Sequence, residues 1–227
     1  MMCGKKVGMA LLVAAVMAGM AVMSPGRALG DTGQAAGAEA GKDPLARFTA
    51  EQKQKLLAGE PVYIYTETSA PGGSGKGFGQ AFIIINAPVE TCFKIFGELG
   101  KQHEYFPRKT KSEVVKSEGN HTLVHNEFDF YLAAIEYYSL YTIDADGHRF
   151  DFEMDKSHPH NVEESAGYFV FEKIDGRRTL FTYAATRLDV GVSVPGFIKE
   201  LIVSRDLPAQ AVNVKKRIES GGKWKDK

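Results

Sequence analysis

Histidines, cysteines and paired charges are the side chains most able to do chemistry, and here they are sparse. His158-Pro159-His160 is the one close histidine pair. Two imidazoles two residues apart can share a metal, but the intervening proline and the lack of a nearby cysteine make a loop the better expectation. His103-Glu104-Tyr105 offers an acid/base group and reads as a solvated turn. Arg187 and Asp189 share strand parity with Phe181, Tyr183 and Ala185. An inward ion pair there would mark a site; at a strand end, or past a bulge, both side chains reach solvent. Cys92 has no His or Asn within a few residues to activate it and reads as a small buried hydrophobe. The glycine run Pro71-Gly72-Gly73-Ser74-Gly75-Lys76-Gly77 lacks the Gly-Lys-Ser/Thr of a phosphate-binding loop and precedes a strand, not a helix. Nothing matches a nucleophile elbow, a zincin helix or a paired-carboxylate site. No metal, cofactor or catalytic residue is expected.

The chain carries 28 Lys and Arg against 28 Asp and Glu over 227 residues. That balance excludes a nucleic-acid binder acting through bulk positive charge. Two cysteines exclude a disulfide-dense scaffold and a four-thiolate zinc site. The total conceals two unlike parts. Lys5 and Lys6 precede a charge-free stretch from Val7 to Met23, followed by Ser24-Pro25-Gly26-Arg27 and Ala28-Leu29-Gly30. A basic start, an apolar run and a small-x-small exit describe a secretory signal peptide over residues 1–30. At 17 residues the apolar run sits at the lower edge of what spans a bilayer, and the Pro-Gly break favours cleavage over anchoring. Cleavage removes Lys5, Lys6 and Arg27 and no acid, which leaves 197 residues with 25 basic and 28 acidic groups, formally −3. Cys92 is then the single cysteine, so no intramolecular disulfide forms. The expectation is an exported protein, periplasmic in a Gram-negative cell.

Asp31–Lys42 is small, polar and Gly/Ala-rich and reads as a flexible leader, with structure expected to begin around Asp43 and the leader as a whole bounded at 31–47. Thr49 with Gln52 forms a capping box for a helix that Gly59 closes. Val62–Thr68 and Phe78–Asn86 alternate as strands. From Pro88, Val89, Phe93 and Phe96 recur at helical spacing with Cys92 on the same face. A short turn follows, stopped by Pro107. Six strands come next, with turns at Gly119-Asn120, Asp146-Gly147 and Asp175-Gly176. After Pro195 the pattern is helical, with Pro208 expected to kink it. The tail, 222–227, sets the sole Trp among lysines; it reads as a frayed terminus, though Trp beside cations also suits an anionic membrane surface.

Strand, short helices, antiparallel meander and long C-terminal helix make an α+β chain in one domain over 48–221, with 48–77 an N-terminal helix and extra strand. A helix across the concave side of such a sheet closes a space. All 24 aromatics lie beyond residue 30, concentrated in the strands. Buried tyrosine hydroxyls need partners, and an apolar pocket with a few polar groups is what a hydrophobic ligand requires. Alternation assigns Phe128, Tyr137, Tyr141, Phe152, Phe169, Phe171, Phe181 and Tyr183 to the lining, with Phe197, Leu201 and Ile202 from the helix.

The run IINAPVETCFKIFGELGKQHEYFPRKTKSEVV resembles the opening of START-like (SRPBCC, helix-grip, polyketide cyclase/coenzyme Q-binding) proteins. Gly167-Tyr168-Phe169-Val170-Phe171, then Gly176, Thr179 and Tyr183, resemble their strand pair, and Val194-Pro195-Gly196-Phe197-Ile198 their final helix start. The likeness covers roughly Phe78 to Gly221. It implies a sheet of about seven strands gripping a long C-terminal helix, with a hydrophobic cavity between. It implies no single function, since such folds serve carriers, quinone binders and aromatase/cyclases. The leading expectation is a periplasmic binding or transport protein for a lipid-, quinone- or sterol-like molecule, doing no chemistry, with transient membrane contact and no nucleic-acid partner. An aromatase/cyclase acting on a polyketide-like or aromatic substrate is the alternative, and it calls for a polar cluster deep in the cavity. A partner-binding module that uses the Val62–Thr68 edge is a third.

Overall fold

The structure is a computed structural model and describes residues 43–68, 76–130, 133–189 and 205–226. Helix α1 (Ala50–Leu57) begins at the expected capping box: the Thr49 hydroxyl accepts from the Gln52 N–H, and Gln52 Oε1 accepts from the Thr49 N–H. Gly59, at φ +81°, ends it. Structure is present from Asp43, where the sequence expects it to begin, so the leader's 31–47 bound runs a few residues too far. Leu45 and Phe48 join Leu56, Phe82, Ile84 and Leu180 in an apolar cluster, and Arg47 pairs with Glu172. Large apolar side chains at 45 and 48 give this segment something to bury, which the small residues before it lack.

Eight strands form one antiparallel sheet: β1 (Val62–Thr68), β2 (Lys76–Ile85), β3 (Lys109–Glu118), β4 (His121–Asp129), β5 (Ala134–Asp144), β6 (Arg149–Met154), β7 (Glu164–Lys173) and β8 (Thr179–Asp189). Their order is β1-β2-β8-β7-β6-β5-β4-β3. The count exceeds the expected seven because β1 adds an edge beside β2, with Val62 opposite Phe82. In β2, Ala81, Ile83 and Ile85 enter the main core while Phe82 and Ile84 meet α1 on the opposite face. Both faces are covered, so this strand reads as a continuous apolar run and not an alternating one.

The link from β2 to β3 carries α2 (Val89–Phe96) and a 3-10 turn (Leu99–Glu104). Thr179 Oγ1 donates to Ala87 O at 2.8 Å and pins the corner where α2 begins. Phe96 is fully buried at the centre of the core, its ring 4.8 Å from that of Phe169, 5.3 Å from Phe171 and 6.0 Å from Phe181. Cys92 is buried beside it, its thiol 3.7 Å from Ala87 O and pushed up to about 11 by burial. This is the inert hydrophobe of the sequence reading.

Helix α3 (Leu207–Glu219) lies against this core through Leu207, Ala211, Val214 and Ile218, one stripe at helical spacing. Pro208 follows Leu207 at the start of α3, directly after π-helical Arg205 and Asp206, and the residues before 205, on which the expected kink depends, lie outside the described residues. The segment before it, with Phe197, Leu201 and Ile202, lies outside the described residues.

The tail is docked, not frayed. Arg217, 3% exposed, pairs with Glu104 at 2.8 Å and donates to Trp224 O at 2.9 Å. The Asp226 N–H donates to Glu104 O, and Asn213 Nδ2 to Asp226 Oδ2. Trp224 packs on the core with Lys216 over its ring. No helix among the described residues is long and apolar enough to cross a membrane.

Candidate ligand-binding site

The sheet's concave face is filled at one end and open at the other. Phe96 packs the filled end. Beyond it, a cavity of about 90 Å³ remains between β4–β8, the segment leading into β3 and the first turns of α3. One water needs roughly 10–15 Å³ on that measure, so the space takes a ring or a short acyl stretch.

Its wall is aromatic. Phe128, Tyr137, Tyr141, Phe152, Phe169 and Tyr183 all line it, each from a different or neighbouring position on β4 to β8. Cross-strand pairing sets them side by side: Tyr141 faces Phe152, and Phe169 faces Tyr183, whose ring centroid is 4.6 Å away. Gly167 allows this packing. A Cβ there would lie 2.0 Å from Ala184 O and 2.8 Å from Phe152 Cζ.

Phe171 and Phe181, also assigned to the lining, do not reach the cavity. They lie on the concave face as alternation places them, but at the end that Phe96 fills. Alternation fixes the face; the distance along the strand decides between core and cavity.

Sequence reasoning missed the polar part of the wall. Lys109 lines the cavity at 6% exposure. Its Nζ donates to Gln102 Oε1 at 2.8 Å and lies 5.0 Å from the Phe106 ring centroid and 5.4 Å from that of Phe128. Burial alone lowers this amine to about 7. The Tyr141 hydroxyl donates to the same Gln102 oxygen at 3.3 Å. Two donors meeting on one atom orient the amide, and Gln102 Nε2 is buried with no partner among the described residues. On β4, Asn126 Nδ2 donates to Val124 O and Ser139 Oγ, and its Oδ1 is an unmet acceptor among the described residues. Burial also raises the hydroxyls of Tyr137, Tyr141 and Tyr183 above their ordinary value; Tyr137 has Ser165 as partner.

Lys109 carried no sequence signal. A bulge between Lys109 and Lys111 breaks the alternation of β3, so the inward residues are Lys109 and Ser112, three apart. A second bulge, at Ala166/Gly167, turns Arg187 outward to Glu164 at 3.0 Å, so the inward Arg187–Asp189 pair is not formed. His103 is exposed, with Nδ1 on Gly100 O. His158 stacks on Tyr138 near Asp155. No group of three or more metal-ligating side chains occurs among the described residues.

No protein-family model matches the chain, and no curated protein matches it in sequence. Solved structures match its shape. The Zhui aromatase/cyclase from Streptomyces sp. R1128 superposes with TM-score 0.55 at 14% identity, over 70% of this chain and 94% of its own. A STAR-related lipid transfer protein fragment from Xanthomonas axonopodis gives 0.54 at 11%, over 68% and 98%. A START superfamily protein from Mycobacterium smegmatis gives 0.53 at 12%, over 63% and 97%. The chain has the START-like helix-grip fold.

Proposed function

We propose that this protein is an exported, periplasmic carrier that holds a hydrophobic, lipid- or quinone-like molecule in the cavity without transforming it. The observation that carries this reading is the cavity itself: an aromatic-walled space left open beside an otherwise tightly packed core. Apolar burial contributes about 25 cal/mol per Å² before ordering costs. The neighbours named for lipid transfer support the reading by analogy of fold. At about 90 Å³ the cavity encloses part of such a ligand, so entry requires α3 or the adjoining loops to move. The signal peptide read from residues 1–30 supports the location. Native mass spectrometry of protein taken from its own compartment, before and after delipidation, tests the proposal. A bound apolar mass removed by delipidation is expected; its absence from freshly isolated protein would count against a carrier.

One observation favours a second reading. Lys109, Gln102 and Tyr141 form a hydrogen-bonded polar cluster deep in the cavity, as the aromatase/cyclase alternative requires. An amine lowered to about 7 suits proton transfer at neutral pH. Turnover of a poly-β-keto thioester by the purified protein, lost in Lys109→Met, would establish that alternative.

A further inference from the structure

The cavity contains a cation without a paired anion: the one carboxylate among its described lining residues, Asp206, is bound to Arg108 and not to Lys109. Among the described residues no carboxylate pairs with Lys109; its one polar contact is Gln102 Oε1, and its other near neighbours are the rings of Phe106 and Phe128. The other cation at this edge, Arg108, is engaged by Asp206, its Nε 2.9 Å from Oδ2. Leaving a lysine without its counter-charge in an apolar space is unfavourable, and aromatic faces offset only part of the loss.

We propose that Lys109 is the head-group anchor of the cavity, and that the ligand is an amphiphile ending in a single carboxylate. This rests on the carrier reading and names its ligand class. One unmatched ammonium calls for one negative charge. A carboxylate is compact enough for a space of this size, whereas a phosphodiester head brings a second substituent and is held best by the guanidinium fork that is already occupied here. The anion takes the two Nζ protons that Gln102 does not use, and the apolar body lies along Phe152, Phe169 and Tyr183. An amine easily neutralised when empty becomes fully charged as the carboxylate arrives, so the anchor carries its full penalty only when it is matched.

The test uses delipidated protein at pH 7 and three probes with the same chain: decanoic acid, decanol and methyl decanoate, each titrated calorimetrically. The acid is expected to bind at least tenfold more tightly than the alcohol or the ester. In Lys109→Met the acid loses that advantage. Near-UV circular dichroism checks that the variant is folded. A ¹³C-carboxyl decanoate resonance in the wild-type complex, held in its ionised position well below the free acid's pKa, gives an independent readout. Equal affinity for all three probes, or a preference that survives Lys109→Met, overturns the anchor and leaves the carrier reading standing. Failure of all three to bind overturns both.

Discussion

Arg108 Nε donates to Asp206 Oδ2 at 2.9 Å and so fastens the entry of β3 to the residue preceding α3, at the edge of the cavity. The side chains are 16% and 14% exposed, so water screens the pair little. Burial raises the Asp206 carboxyl, and Arg108 opposes that rise. Arg108 also adopts φ +58°, a left-handed conformation that disfavours side-chain-bearing residues. The tie joins two elements that must separate if a ligand is to enter between sheet and helix.

Arg108→Ala should therefore quicken exchange. The expected outcome is ligand dissociation about tenfold faster in stopped-flow displacement, with stability lower by about 1–3 kcal/mol as Asp206 loses its partner. An unchanged dissociation rate would show that the ligand enters elsewhere.

Lys109 makes stability depend on pH in a stated direction. Its folded value is about 7, against about 10.4 in an unfolded chain. Below pH 7 both states are charged and the folded state bears the whole desolvation penalty. Above it the unfolded chain binds the extra proton, so stability rises with pH. Cys92, raised by burial to about 11 from about 8.5, acts oppositely above pH 8.5, where its unfolded thiol ionises first. Wild type should thus gain stability from pH 6 to 8.5. Lys109→Met should lack that gain and be more stable at pH 6 by about 2–4 kcal/mol. Urea midpoints at three pH values measure both; parallel profiles for the two proteins would refute the burial argument.

Gly167→Ala should be severe. The added methyl meets the Ala184 carbonyl and the Phe152 ring, one of them backbone. A loss of about 3 kcal/mol is expected, with Phe152 displaced into the cavity and ligand affinity reduced. Gly176→Ala, with open space around it, is the control and should change little.

Deleting residues 221–227 removes the Trp224 cover and one partner of buried Arg217. The expected loss is about 3 kcal/mol, or a Tm lower by about 6–12 °C. A Tm within 2 °C of wild type, on calorimetric scans, would mean the docked tail adds nothing.

The legible parts of this molecule were those governed by local rules. The Thr49/Gln52 capping box, the hairpin turns and the helical stripe through Cys92 and Phe96 each depend on neighbours a few residues away. So does the alternation that brings Tyr141, Phe152, Phe169 and Tyr183 to one face. What stayed hidden was set at longer range. Phe171 and Phe181 leave the cavity because Phe96, far away in sequence, fills their end of the sheet. Lys109 turns inward, and Arg187 outward, because a bulge shifts each strand's register, and no residue type announces either bulge. Arg217 and Glu104 could not be matched by spacing at all; only the packing of α3 against the 3-10 turn brings them together.

The pairing of β2 with β8 sets Gly79 opposite Ala185, about a hundred positions apart, and the Glu104 region waits for residues as late as Asp226. A half-made chain can pair β2 with β1 and cover its outer face with α1, but the core face of β2 and the edge that takes β8 stay open. Contacts of such long sequence separation slow folding and place its completion after synthesis of the sheet's last strand. A chain with this wiring cannot close its sheet until β8 has been made, however early its first elements form.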